Sequence, residues 1–290
     1  TGGQTPTYVA VIDYVTITTI GDAIVFGDIS SARVTHGSCA DRTRGLIGGG
    51  YAPSNTNIID YITIATTGDS LDFGDLTVAR SYVAAVNNST RGIWGGAWSP
   101  NRSNVMDYVT IQSTGNAVDF GDLTEAQQTD GSFSSPTRGF WVGGAAGPGP
   151  AYQASTTGTK IECVTTTTLG NAFDFGDLIN GTFGKVGASN SIRGLAGGGA
   201  GSPANILAIE SITMATLGNA SDFGDMTDGH YYGAGTSDPI RAIFAGGTPS
   251  GSNGIIDYVT IATEGDAVDF GDLTSARMLV KGMSNGNGGL

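Results

Sequence analysis

The sequence predicts an all-β fold: a closed β-propeller of six blades, each with four antiparallel strands. Three observations predict this fold: a motif that occurs six times, four strand-like segments in each repeat, and chain ends that complement each other. The motif is Phe-Gly-Asp, with glycines at Gly27, Gly74, Gly121, Gly176, Gly224 and Gly271, which are 47, 47, 55, 48 and 47 residues apart. This is the period of a four-stranded repeat unit. Because a catalytic motif occurs once per active site, the recurrence indicates architecture and not the magnesium-binding Asp-Phe-Gly of a kinase.

One repeat shows the four segments, which we call A to D. Segment A is Ser81–Val86, segment B is Arg91–Gly96 and segment C is Val105–Ser113. Segment D follows a tight hairpin turn at Gly115 and contains Phe120. Because aromatic side chains bury large areas, we expect the recurring Phe to pack between neighbouring blades.

The chain ends predict that the ring closes. Segment B normally reads Arg-Gly-apolar-any-Gly-Gly, and joining Gly288–Leu290 to Thr1–Gly3 rebuilds one such segment. We therefore expect residues 1–290 to form a single propeller domain, closed by a blade shared between the N- and C-termini. An open solenoid is the competing architecture, but it needs polar capping repeats that the sequence does not show.

Composition excludes several classes of function. The net charge of −13 disfavours nucleic acid, whose binding needs clustered Lys and Arg. We expect no membrane span, because the sequence has no apolar run of about 18 residues, and the first residues do not resemble a signal peptide. The two cysteines, Cys39 and Cys163, fall in distant repeats and are predicted to be free thiols.

Several short motifs resemble a known repeat. The order of Gly95-Gly96, Asp107-Tyr108, Phe120 and an Ala-Arg pair such as Ala79-Arg80 resembles the kelch repeat, with Phe where kelch usually has Trp. The stretches TRGIWGG, IDYITIATTGD and DFGDLTVAR resemble the kelch-like repeats of virion structural proteins from marine tailed phages, especially cyanophages. The resemblance covers the whole chain and implies a virion location. Repeats four and five depart from it, with Glu162-Cys163 and Glu210-Ser211 in place of Asp-Tyr.

No catalytic, cofactor or metal site is predicted. Some kelch-type propellers are copper radical oxidases, but His36 and His230 belong to different blades and are the only histidines of the sequence. The Asp of each Phe-Gly-Asp is expected to accept backbone N–H bonds in a turn, with calcium binding as the alternative. Five arginines open segment B, and we interpret them as hydrogen-bonding partners of the repeated Asp residues between blades. They are Arg44, Arg91, Arg138, Arg193 and Arg241.

Length varies only in segment B and in the loop from B to C. The distance from the acid that starts segment C to the start of the next segment B is 31 residues in all six repeats. The fourth B-to-C loop is the longest, at residues 145–159. Function is expected on this variable face. The candidate partner-binding or glycan-binding residues are Tyr8, Tyr51, Trp98, Arg102, Tyr152 and Asn253.

The sequence therefore predicts a non-enzymatic propeller that serves as a rigid platform for protein attachment. Given the resemblance, the expected partners are other virion proteins. The alternative is a receptor-recognition module of a phage tail or capsid decoration that binds a host-surface glycan, because aromatic rings beside Asn, Ser and Thr can stack on sugars.

Overall fold

A computed structural model describes residues 1–98, 101–146, 158–200, 206–248 and 253–286. The regular elements in these ranges are β-strands, and none of the ranges contains a helix long and apolar enough to cross a membrane. The strands form antiparallel four-stranded blades that pack side by side. The predicted all-β propeller is confirmed at this level.

We number the units by the Phe-Gly-Asp copy that each contains. The chain begins with the hairpin β1 (Gln4–Thr5) and β2 (Thr7–Tyr8), and the first unit shows β3 (Val11–Tyr14) and β4 (Ile24–Asp28). The second sheet comprises β5 (Gly37–Ala40), β6 (Arg44–Gly48), β7 (Ile58–Thr63) and β8 (Leu71–Asp75). The third comprises β9 (Ala84–Asn87), β10 (Arg91–Trp98), β11 (Arg102–Thr110) and β12 (Val118–Gln128).

The remaining three sheets follow the same order. The fourth comprises β13 (Gly131–Ser134), β14 (Arg138–Val142), β16 (Lys160–Thr165) and β17 (Phe173–Asp177), while β15 (Ala145–Ala146) pairs with β12 of the third sheet. The fifth comprises β18 (Val186–Ser189), β19 (Arg193–Gly197), β20 (Ala208–Thr213) and β21 (Ser221–Asp225). The sixth comprises β22 (Ala234–Ser237), β23 (Arg241–Ala245), β24 (Ile255–Thr260) and β25 (Val268–Asp272).

The Phe-Gly step places a β-bulge in each C-to-D ladder. In the second sheet Ile59 pairs with Gly74 and Asp60 with Asp72, so Phe73 is the extra residue. Gly74 adopts a φ of +146°, which glycine tolerates because it has no Cβ. The bulge directs Phe73 into the space between sheets, where it is 2% exposed and packs edge-on against Tyr61 at 6.1 Å.

The hydrophobic core is divided into clusters that lie between neighbouring units. The cluster between the second and third sheets joins Leu46 and Phe73 to Trp94 and Val109. The cluster between the sixth sheet and the first unit joins Phe270 to Ala23. The expectation that the recurring Phe packs between blades is confirmed.

Hydrogen bonds between segment D of one unit and the hairpin turn of the next unit connect all six units. The N–H of each Phe-Gly-Asp aspartate donates to the Asp or Asn that follows the turn glycine of the next unit. These bonds are Asp28 to Asp69, Asp75 to Asn116, Asp122 to Asn171, Asp177 to Asn219, Asp225 to Asp266 and Asp272 to Asp22. The expected turn acceptor is therefore the residue after the turn glycine, and not the aspartate of the motif. The last bond joins the sixth sheet to the first unit.

Segments A line the central channel and are also joined side to side. The hydroxyls of Ser284, Ser237 and Ser189 donate to the carbonyls of Ser237, Ser189 and Ser134 respectively. The contacts continue through Ser132 Oγ to Ala85 O, Asn87 Nδ2 to Ala40 O and Ser38 Oγ to Gly282 O. The last of these joins the second sheet to residues 278–284, which run beside the sixth sheet.

The first unit differs from the expected four strands. Its described part has β3 and β4, while residues 279–284 line the channel without strand pairing. Between them lies a cavity of about 730 Å³, lined by Ile12, Tyr14, Val280 and Met283 and by side chains of the neighbouring sheets. Segment B occupies this position in the other units. The predicted B strand from the C-terminus falls on residues 287–290, which lie outside the described residues.

The arginines have structural roles, but not with the partners expected. Each segment B arginine donates to a backbone carbonyl of the next unit, as Arg91 does to Thr166 O at 3.1 Å, and lies over an aromatic ring, as Arg91 does over Tyr108. The interpretation that these arginines pair with Asp was wrong. The segment C acids pair instead with basic residues before or within segment A. These pairs are Arg33–Asp60, Arg80–Asp107, Lys185–Glu210, His230–Asp257 and Arg277–Asp13.

Segment D is the last strand of each unit, and its exposed residues include carboxylates. The residue before the buried Phe is exposed and acidic in five units. These residues are Asp72, Asp119, Asp174, Asp222 and Asp269.

Candidate functional site

The structure describes five of the predicted candidate residues and brings four of them together on the B-to-C face. Tyr8 and Tyr51 come from successive loops, and their rings meet edge-on with centroids 6.1 Å apart. The Arg102 guanidinium lies 5.8 Å from the Trp98 ring centroid in the next loop. We call these four residues the aromatic strip.

Hydrogen bonds fix the strip across two neighbouring sheets. Tyr51 forms backbone bridges to Val34 and Asn55, and Asn55 Nδ2 donates to Trp98 O at 3.1 Å. The tyrosine side chains remain accessible, with Tyr8 36% and Tyr51 37% exposed. The strip therefore presents two accessible tyrosine rings and an arginine from a hydrogen-bonded base.

Of the other two predicted residues, only Asn253 is described, and it does not join the strip. Asn253 is 8% exposed, its Oδ1 accepts from Ile255 N and its Nδ2 donates to Asp228 at 3.2 Å. The amide of Asn253 therefore braces its own loop at one end and joins that loop to the Asp228 segment at the other. Tyr152 lies outside the described residues.

A second aromatic group covers the channel on the same face. Tyr232 stacks on Tyr231 at 4.2 Å and approaches Tyr82 from the opposite side of the channel at 5.9 Å, while Phe183 packs edge-on against Tyr231 at 5.4 Å. We call these residues the channel cap. Burial raises the pKa of Tyr231 to about 12, so its hydroxyl is neutral at physiological pH.

Sequence reasoning missed the channel cap because its members come from the third, fifth and sixth units. The signal in the sequence was the position of certain residues within the repeat. Thr35, Tyr82, Tyr232 and Leu279 occupy the same place before segment A and share a positive φ of 50° to 58°. Residues at this place sit at the channel opening, so aromatic side chains there converge although they are distant in the chain.

The strip and the cap form one continuous surface. Ser81 N–H donates to Trp98 O at 3.1 Å and Trp98 N–H donates to Ser81 O at 2.7 Å, which places the end of β10 beside the residue that precedes Tyr82. The strip and the cap together comprise five tyrosines, a phenylalanine, a tryptophan and an arginine between the loop tips and the channel axis. These residue types dominate the buried centres of protein interfaces.

The channel beneath the cap is nearly filled. It holds a cavity of about 30 Å³, lined by Ser38, Asp130, Ser132 and Lys281. Lys281 Nζ donates to the Asp130 carbonyl at 2.7 Å, while burial raises the pKa of the Asp130 carboxyl and lowers that of the Lys281 ammonium. The cavity has room for about one water, so the outer surface of the cap is the part that a larger ligand can reach.

The described residues contain no group of three or more His, Cys, Asp or Glu side chains placed to bind a metal ion. Cys39 and Cys163 are both buried, and burial raises the pKa of the Cys163 thiol to about 12. Neither thiol therefore has the exposed, ionised character of a nucleophile.

Comparison with known proteins assigns no family. The chain matches no model of a known protein family, and a search of curated proteins finds no significant match.

Proposed function

We propose that the chain is a closed, six-bladed, kelch-like propeller whose first blade is shared between its N- and C-terminal parts. Contacts between successive units support this proposal, because the bonds that join the sixth sheet to the first unit repeat those between the other sheets. In the proposed blade, β3 and β4 are segments C and D, and residues 279–284 take the place of segment A beside the channel.

The proposed function is a non-enzymatic platform that attaches to a protein partner through its B-to-C face. The observation that carries it is the continuous surface of strip and cap, displayed from sheets bonded to both neighbours. Rigid aromatic anchors lose little conformational entropy on binding, and arginine adds directional hydrogen bonds. Both properties suit a permanent docking face.

The resemblance of the repeats to virion proteins of marine tailed phages supports a more specific role. Under this proposal the chain is a structural or appendage protein of a phage particle, and its partners are other virion proteins. It is made in the host cytoplasm and functions on the released particle.

Site-specific photo-crosslinking tests the attachment face. Benzoylphenylalanine replaces Tyr51 in the strip or, as control, Ile192, which is 66% exposed at an A-to-B turn on the opposite face. In particles of the encoding phage, we expect the Tyr51 position to crosslink to one virion protein and the Ile192 position to crosslink to none. Equal crosslinking at both positions, or none at Tyr51 in labelled particles, would contradict the proposal.

Glycan binding is the second candidate function, favoured by the two accessible tyrosine rings that meet edge-on. A glycan array probed with wild type and with a Tyr51→Ala/Trp98→Ala double variant separates the two functions. Binding of a defined sugar that only the variant loses favours host recognition. A Val118→Ala variant, changed at an exposed residue of segment D, is the control and should bind as wild type does.

A further inference from the structure

We propose that the fourth unit binds a monovalent alkali cation, potassium or sodium, beside Glu162. In the other five units the segment C acid has a buried basic partner at 3.0 Å or less. In the fourth unit the place of that basic residue is taken by Gln127, which carries no charge. The cation supplies the positive charge that the side chain lacks.

Backbone and side-chain positions show that Gln127 takes the place of arginine. A Cβ built on Gly96 would lie 2.8 Å from Gln127 O, as one on Gly49 would lie 2.8 Å from Arg80 O. The side chains also coincide. A Cβ built on Gly144 would lie 3.7 Å from Gln127 Oε1. A Cβ built on Gly50, the equivalent glycine of the second sheet, would lie 3.3 Å from Arg33 Cδ. These distances place the end of the glutamine level with the arginine Cδ. The space reached by a guanidinium lies beyond it.

The atoms around that space are oxygens. In the third sheet Arg80 donates to the carbonyls of Trp94, Gly96 and Val105 and to the Asp107 carboxylate. The residues in the same register of the fourth sheet are Trp141, Gly143, Lys160 and Glu162. By this register, the ligands of the proposed site are three carbonyls, one carboxylate and the Gln127 amide oxygen.

Two observations indicate that these oxygens lack a cation of their own. Gln127 is 2% exposed, and its Oε1 has no hydrogen-bond partner among the residues that the structure describes. Glu162 is fully buried and accepts from the backbone N–H and the hydroxyl of Thr124, and its burial raises the pKa of the carboxyl. The Lys160 ammonium acts on Glu162 through its charge and opposes the rise in the carboxyl pKa. Its direct contacts are with Glu125 at 2.7 Å and with the Thr124 hydroxyl at 3.1 Å, so it does not bond to the Glu162 carboxylate in place of the missing basic residue.

The ligand set favours a singly charged ion. A buried carboxylate is costly unless paired, and the other units pair it with one basic side chain. Calcium sites usually collect several carboxylates, whereas backbone carbonyls coordinate potassium and sodium. Gln127 also pairs with Ala146 of β15, so the proposed ion lies beside β15.

Thermal unfolding in different salts tests the site. Wild type is unfolded in potassium, sodium or choline chloride at equal ionic strength, with calcium chloride as a fourth condition. We expect potassium or sodium to raise the Tm by about 2–4 °C over choline, because a ligand that binds only the folded state stabilises it. The Gln127→Arg variant carries its own charge and should lose this response. Thr114→Arg adds the same charge at an exposed turn and should keep it.

A second measurement decides the matter if Gln127→Arg does not fold. Crystals of wild type are soaked in rubidium chloride, and anomalous scattering is measured at the rubidium edge. A peak between Glu162 and Gln127 supports the proposal, and a map without one overturns it. Equal salt responses of wild type and Gln127→Arg would also overturn it, as would stabilisation by calcium alone.

Discussion

At the scale of single residues, His36 is a buried group whose protonation makes the stability of the fold depend on pH. It lies in the channel wall, where its Nε2 is 2.9 Å from the Thr1 hydroxyl. Burial, together with the charges of Arg33 and Lys281, lowers the pKa of the imidazole well below its ordinary 6.5. As the pH falls through 6.5, the unfolded chain takes up a proton that the folded chain does not, so stability is lost on acidification.

We therefore expect a His36→Gln variant to lose less stability than wild type between about pH 6.5 and pH 5. The difference in unfolding free energy should grow by up to about 1.4 kcal/mol per pH unit. Urea unfolding of both proteins across this range measures it. If the unfolding free energies of the two proteins change with pH in parallel, His36 has the same pKa in the folded and the unfolded chain, which would contradict the prediction.

Residue identities allowed part of the candidate site to be predicted. The aromatic strip was found because Tyr8, Tyr51 and Trp98 lie in loops of variable length, where the repeat register makes an aromatic residue conspicuous. The buried pairs such as Arg80–Asp107 were missed, because sequence distance does not show which of two repeated basic positions reaches the acid. The channel cap could not be predicted, because only the folded structure shows that residues of distant units meet at the channel opening.

At the scale of elements, the approach of segment D to the next hairpin turn requires glycine. A Cβ on Gly74 would lie 2.5 Å from Gly115 O, whereas one on Gly115 would meet nothing within 4 Å. The two glycines have similar φ angles of +146° and +152°. A comparison of alanine variants at these positions therefore separates backbone strain from the clash between sheets.

We expect Gly74→Ala to lose about 1–3 kcal/mol more unfolding free energy than Gly115→Ala, because overpacking adds to the shared strain. Chemical denaturation of the two variants measures the difference. Equal losses of unfolding free energy in the two variants would mean that neighbouring sheets can move apart at little cost in free energy.

The segments themselves were readable from sequence, since the Gly115 turn and the alternation around Phe120 mark strand ends. The bulge at Phe73 was not predicted, because a one-residue shift in pairing leaves no separate signature beyond the glycine beside it.

At the scale of the whole molecule, the contacts between the sixth sheet and the first unit make two distant arginines equivalent. Arg241 Nη1 donates to Ile17 O at 2.9 Å and joins the sixth sheet to the first unit, while Arg91 Nη1 donates to Thr166 O at 3.1 Å within the continuous series. Each also lies over a tyrosine, at 4.8 Å for Arg241 and 5.1 Å for Arg91.

If the ring is closed in solution, Arg241→Ala and Arg91→Ala should lower the unfolding free energy by similar amounts, about 1–2 kcal/mol each. Differential scanning calorimetry with both variants makes the comparison. A negligible effect of Arg241→Ala beside a clear effect of Arg91→Ala would indicate an open ring.

The exposed carboxylates on the outer strands have a consequence for how copies of the molecule behave together. Segment D lies at the perimeter, and a strand edge there is a template on which a second chain can add a strand. The next hairpin turn covers part of this edge, as where Gly115 N–H donates to Phe73 O. Asp72, Asp119 and their equivalents give that edge a negative charge in five units. We therefore expect electrostatic repulsion to keep copies of the molecule dispersed at neutral pH, so that colloidal stability depends on the carboxylates that the repeat carries at its rim.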